Sequence, residues 1–333
     1  MAERKPSDDR PAPRDWRAII VFDGRGGVKR LTEAEEDLPL DVPVKGFVLV
    51  SGNSRAPEFK VWLREELGAF NSDTLSVPST RTRCVVLEDK AMVILRVARP
   101  GAEPEDIGRQ LLSLWLEKGR VIISSELNIP EFLGITQWQQ SHHAPLSPAD
   151  LVARLGLRAA DRLEPLVERL GDQLDGIEEG LMAERGTEFR ARLASLRRNL
   201  ISFRRLIWPQ RDVLNTLEIE DLSFFTTRDR LRLREASARS ARLGDELQSL
   251  SERAVLVHEQ ILDTRAEQMN KIMLLLTAVT VILLPLTVIS GILGMNVAGI
   301  PYSDNPHAFW VVAGILAVIG TGIYFGMRKL KWL

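Results

Sequence analysis

From Ile272 to Ser303 the chain carries no charged side chain. The apolar part of that run, ending near Leu293, covers the roughly 20 residues a helix needs to cross a bilayer core, so residues 272–295 read as a transmembrane helix. A second uncharged run, Ala308 to Met327, is of similar length and closes on Arg328, Lys329 and Lys331. Residues 308–327 are therefore a second span, and the two make a hairpin around a short loop at 296–307.

The exceptions to greasiness in the first span fall in register. Asn270, Met273, Thr277, Thr280, Leu284, Thr287 and Gly291 follow one another at steps of three and four, which places them on one helix face. Two readings of that face are open. Small and hydroxyl residues are the ordinary packing material of membrane helices, and a face turned to a wet pathway gathers the same residues. Pro285 sits mid-span, where its freed carbonyl, near Val281, needs water or a neighbouring helix. If the face is a pathway, it offers amide, hydroxyl and backbone oxygen but no carboxylate, imidazole or thiolate, so a divalent ion would pass at least partly hydrated. That chemistry suits Mg²⁺, which gives up its water reluctantly. Continued backwards by the same steps, the stripe reaches Asp263, Glu259 and Glu252, which repeated by symmetry would form a negative vestibule favourable to cations. Asp304 and His307 lie in the loop, where a ring of such groups could attract a divalent cation. Each acidic position also has the plainer reading of solvated surface.

Two spans use up little of 333 residues; 45% hydrophobic content with 27% charge suits a large soluble part ahead of a small membrane part. The formal net charge of -1 gives no reason to expect nucleic acid as a partner. The single Cys84 excludes an internal disulfide framework and fits a reducing compartment. Residues 1–15, rich in proline and charge, read as a disordered tail with no apolar signal segment. Arg265 and Lys271 precede the first span and residues 328–333 form a basic tail, while the loop has no Lys or Arg. The positive-inside rule then puts both ends in the cytosol.

Residues 16–146 alternate β-rich runs with turns: strands at Arg17 to Phe22, Gly46 to Val50, Cys84 to Leu87, Ala91 to Val97, Leu111 to Leu116 and Val121 to Ser124, and a helix from Glu58 to Leu67. This is an α/β cytosolic domain. Gly24-Arg25-Gly26-Gly27 lacks the ending of a phosphate loop and reads as a turn. His142 and His143, being adjacent, point apart and read as surface. Residues 147–226 are helical, opening on a Ser147-Pro148 cap, with Pro209 expected to kink or end the second helix. Residues 227–271 form a stalk helix running unbroken into the first span, about 67 residues or about 100 Å in all. Its stripe Leu243, Leu247, Leu250, Ala254, Val257, Ile261 keeps a 3.5-residue period, which predicts packing against helices of other copies. No nucleophile, base and orienting partner come together, so no catalytic residue is assigned and an enzyme is not expected.

Gly294-Met295-Asn296 closes the first span, precedes a short loop and is followed by a second span and a basic tail. That arrangement resembles the CorA family of divalent-cation transporters, whose signature is Gly-Met-Asn in this position. The following Val297-Ala298-Gly299-Ile300-Pro301 is similar to the ZntB zinc-transporter branch, as are Asp23 to Leu31 and Thr80 to Arg96. The resemblance implies a homopentamer in the cytoplasmic (inner) membrane, with the signature at the pore mouth, the first span lining the pore and lipid around the second. It implies zinc uptake, with proton coupling as the mechanism proposed for that branch. No cofactor is implied: Zn²⁺, or Mg²⁺ in a CorA-type magnesium (or cobalt/nickel) channel, is the cargo. From another class, a membrane-anchored metal sensor would use the hairpin only as a tether.

Overall fold

Alternating apolar residues in the first third of the chain build a seven-stranded sheet. In the computed structural model, which describes residues 16–32, 43–76, 81–182, 186–295 and 307–329, the strands are β1 (Arg17–Phe22), β2 (Val28–Arg30) and β3 (Phe47–Asn53). After helix α1 (Pro57–Ser76) come β4 (Arg83–Leu87), β5 (Lys90–Val97), β6 (Gln110–Glu117) and β7 (Arg120–Ser125). The order across the sheet is β2-β1-β3-β7-β6-β5-β4, and β3–β7 is its parallel pair. Period-two alternation sends Ala91, Val93 and Leu95 to one face and Met92 to the other. The Met92 face is covered by Phe59, Leu63 and Leu75 of α1. That helix extends beyond the expected Glu58–Leu67, with a break at Gly68, whose φ of 77° is left-handed.

The other sheet face packs on helices: α2 (Ile129–Leu133), α3 (Ile135–Ser141), α4 (Pro148–Met182), α5 (Gly186–Ile219) and the start of α6 (Thr227–Leu293). A last helix, α7, runs over Ala308–Lys329. The sequence reading did not separate β2, α2 and α3; each is seven residues or fewer, too short for periodicity to register.

Side chains tie the ends of α4 and α6 together. Ser147 Oγ accepts from the Asp150 amide (3.0 Å), and Asp150 accepts in return from the Leu146 amide (3.1 Å), a reciprocal cap with Asp in the third position. At α6, Thr226 Oγ1 accepts from the Asp229 amide (3.2 Å) and Asp229 accepts from the Thr226 amide (2.9 Å). Buried Asp229 also accepts from the Ser147 hydroxyl, so one carboxylate sits between two positive helix N-termini. Pro209 neither ends nor interrupts α5. Next to it, fully buried Gln210 donates from Nε2 to Gly156 O of α4 (3.0 Å) and to Ser240 Oγ of α6 (3.2 Å), bridging three helices.

The stalk stripe is buried, but by this chain itself. Leu243, Leu247, Leu250 and Ala254 are almost wholly inaccessible; Leu250 lies over Gly171 of α4, and Gly244 lies under Trp208 and Ile207 of α5. Arg239 pairs with Asp161 and Glu164, and Arg253 with Asp175 and Glu178, so α4 holds α6 along its flank as well. Val257 and Ile261 are also buried. For Leu243 to Ala254 the expectation that the stripe waits for other copies is therefore corrected: within the first unit, α4 and α5 supply the partners.

The chain divides into two compact units, Met1–Val255 and Leu256–Leu333. In the second, Ala278 and Met327 are buried, and Leu286 comes within 3.4 Å of where a Cβ on Gly320 would lie. The two helices thus pack against each other, with Ala278 and Gly320 as small positions in a seam of larger side chains.

Replacing Gln210 by Ala removes two buried hydrogen bonds and leaves a void, and is expected to cost about 2–4 kcal/mol of soluble-unit stability. Chemical denaturation followed by circular dichroism checks it; a loss under about 0.5 kcal/mol would show the bridge to be unimportant.

Candidate functional site

Ile282, Leu286 and Ile289 are half-buried and follow Ala278 on the side of α6 that α7 covers; Val312, Leu316, Ile323 and Met327 answer them from α7. At 3.6 residues per turn, the stripe Asn270, Met273, Thr277, Thr280, Leu284, Thr287, Gly291 lies roughly half a turn away from that seam. All seven residues are exposed. The second span therefore stands behind the first and leaves the hydroxyl face open. Pro285 is half-buried rather than part of that open face, and α6 continues through it.

The hydroxyls are directionally committed. Thr277 Oγ1 donates to Met273 O (2.8 Å), Thr280 Oγ1 to Leu276 O (2.8 Å), and Thr287 Oγ1 to Leu283 O (2.6 Å) and Leu284 O (3.0 Å). With each proton turned back onto the helix, what remains outward is oxygen lone pairs. Such a face accepts hydrogen bonds, and the outer surface of a cation's water shell presents hydrogens.

At the C-terminal end of α6, Gly294 donates its amide to Ser290 O (2.9 Å) and Met295 is exposed. Asn296 and Asp304 lie outside the described residues. His307 stands at the start of α7, where its carbonyl accepts from the Val311 amide (3.3 Å); the positive end of the helix at that point works against a cation. Glu252, Glu259 and Asp263 are exposed on α6, and Glu252 accepts from Gln248 Nε2 (2.6 Å). Among the described residues no three His, Cys, Asp or Glu side chains gather into a metal-binding group. Cys84, half-buried on β4, has its thiol pushed up to about 12, by burial first and then by the charge of Glu220. His142 and His143 are both exposed.

The glycine turn after β1 is internally filled. Asp23 Oδ1 accepts from the amides of Arg25 (2.7 Å) and Gly27 (2.8 Å), and these bonds hold its carboxyl below the usual range. Gly24 and Gly26 have φ of 70° and 103°, which the turn requires. The amides that would cradle a phosphate already hold a carboxylate.

Residues 45–329 match the family model described as "CorA-like Mg2+ transporter protein". The chain belongs to the CorA-like family. CorA-like proteins transport divalent cations and are not a class of enzymes, and the same class holds for this chain. Among its relatives is the "Divalent cation transporter CmaX" of Pseudomonas aeruginosa, 31% identical over 328 residues, covering 96% of this chain and 98% of that protein. The "Zinc transport protein ZntB" of Yersinia enterocolitica is 25% identical over 279 residues, covering 83% and 85%. The structure of full-length CmaX superposes with a TM-score of 0.79 at 30% identity, covering 97% of this chain and all of that one. The α/β domain, long helix and two C-terminal apolar helices are thus the CorA-like arrangement. Among the described residues, α6 and α7 are the two helices long and apolar enough to cross a membrane.

In a CorA-like protein whose Cys84 is replaced by Ser, a cysteine placed at Thr280 or Thr287 is expected to react with a water-soluble, membrane-impermeant thiol reagent, whereas one at Ala278 or Ile282 is shielded by α7. Mass spectrometry of the labelled protein in membranes checks this; equal labelling at all four positions would refute an open, wet stripe.

Proposed function

We propose that this chain carries a divalent cation, zinc as the first reading, inward across the cytoplasmic membrane as a homopentamer whose first spans face a central path. The observation that carries the reading is the hydroxyl stripe: exposed, opposite the seam with α7, with Thr277, Thr280 and Thr287 turning acceptor oxygens outward. A single hairpin cannot enclose water, so the stripe needs copies of itself around an axis. Phe309, Trp310, Val311, Val318 and Phe325 of α7, all well exposed, then form the belt toward lipid. Both termini lie in the cytosol under the positive-inside rule.

Zinc is supported by the ZntB relatives, which resemble this chain through the soluble unit as well as the spans. Magnesium is the second reading, and the hydroxyl stripe favours it, because it suits an ion that keeps its water. Gly294, Met295 and Asn296 would form the mouth, with Asp304 and His307 near it and Glu252, Glu259 and Asp263 at the cytosolic exit. Between Lys271 and Gly294 the first span has no titratable side chain, so any proton coupling must run through the mouths or through water.

In proteoliposomes, Thr280→Ser and Thr287→Ser keep the acceptor and should retain most zinc and magnesium flux, while Thr→Val at either position keeps the shape and should reduce flux about tenfold. Equal flux through the Ser and Val variants, with the oligomer intact, would remove the stripe from the ion path. The ratio of zinc to magnesium flux in the unmodified protein decides between the two ions. Asn296→Ala is expected to abolish flux of either ion without dissociating the oligomer, since alanine offers no hydrogen bond to the ion's water shell; chromatography alongside the flux assay separates that outcome from misassembly.

A further inference from the structure

The antiparallel pairing of β4, β5 and β6 brings the start of β4, the end of β5 and the start of β6 to one end of the sheet. Each delivers an arginine there: Arg81 and the neighbouring Thr82 ahead of β4, Arg96 near the end of β5, Arg109 just before β6. Helix α5 passes the same place and adds Arg205, with Pro209 one turn on. These residues line a cavity of about 650 Å³, and none of its lining residues is acidic.

Four guanidiniums around one cavity repel one another. The acids of the adjoining loop are engaged outside the cavity: Glu103 with Arg169 (2.7 Å), Glu105 with Gln173 (3.1 Å), and Asp106 with Arg99 (3.2 Å). Arg109 and Arg205 have no ion pair among the described residues. Arg96 feels the congestion, its guanidinium made easier to deprotonate by burial and then by the charge of Arg109. In the same lining the Thr82 hydroxyl is buried without a hydrogen-bond partner, a cost that a ligand oxygen would remove. A second cavity of about 330 Å³ shares Arg109 and continues along α5 past Asn199 and Ser202, with Glu105 and Asp106 across from them. A strongly basic cavity therefore adjoins, at Arg109, a polar one whose Asn199 and Ser202 can meet hydroxyls.

We propose that this groove in the soluble unit binds a small polyphosphate anion, its phosphates held by Arg81, Arg96, Arg109 and Arg205 and any sugar or base lying toward Asn199 and Ser202. Guanidinium forks match phosphate oxygens two at a time. Several arginines on one ligand favour adjacent phosphates over a single small anion. The groove is separate from the hydroxyl stripe, so the proposal stands or falls independently of the ion path.

Isothermal titration of the full-length, detergent-solubilised, EDTA-treated protein with pyrophosphate and with ATP tests it. The expected result is saturable binding of both, at one site per chain, tighter than orthophosphate and weakening as salt rises. Arg109→Gln and Arg205→Gln, both exposed and outside the core, should each weaken binding at least tenfold, as the loss of a charge-assisted bond implies. Arg55→Gln, which only breaks the exposed pair with Glu126, should leave it unchanged. Absence of binding at millimolar pyrophosphate, or affinity unaltered in both pocket variants, overturns the proposal. So does dissociation of the oligomer by Arg205→Glu when the unmodified protein binds no pyrophosphate, because the arginines would then be meeting carboxylates of another copy.

Discussion

Leu243, Leu247, Leu250 and Ala254 leave water on folding because α4 and α5 lie against them, and the rest of the soluble unit is arranged around that contact. Each leucine so buried contributes about 1.5–3 kcal/mol, and the Gln210 bridge and the shared Asp229 cap fix how the three helices meet. A stripe already covered cannot also be the seam between copies. Contacts of the kind by which CorA family members assemble would have to use other faces of this chain.

The membrane part depends on a quieter constraint. A threonine in an apolar helix satisfies its hydrogen by donating to the carbonyl four residues back, as Thr277, Thr280 and Thr287 do. That bond is usually regarded as a way to hide a polar group. Here it also sets polarity: the three threonine oxygens face outward with their hydrogens turned onto the helix, a surface that can accept from a cation's water shell. Selectivity for charge sign can arise with no charged residue in the span.

Periodicity was most informative where the environment has two sides. The spans, the strands of the sheet and the cap at Ser147 follow from runs of apolar residues and capping chemistry, all local in sequence. The Leu243–Ile261 period announced a buried face but could not say which helix buries it, since a hydrophobic stripe is the same whether its partner is in cis or in trans. Pro209 was expected to disturb its helix, yet tertiary contacts at Gln210 hold the helix through it. Signature residues could be named from order along the chain, although Asn296 and Asp304 fall outside the described residues. The arginine groove had no signal at all: positions 81, 96, 109 and 205 have no common spacing, and only strand topology makes them neighbours.

Cys84 has a consequence for a protein through which a soft metal would travel. Its thiol is the chain's one sulfhydryl, and burial beside Glu220 keeps it protonated at any physiological pH. Zinc binds thiolate, not thiol, so a soft metal at Cys84 would have to displace its proton against the burial that holds it there.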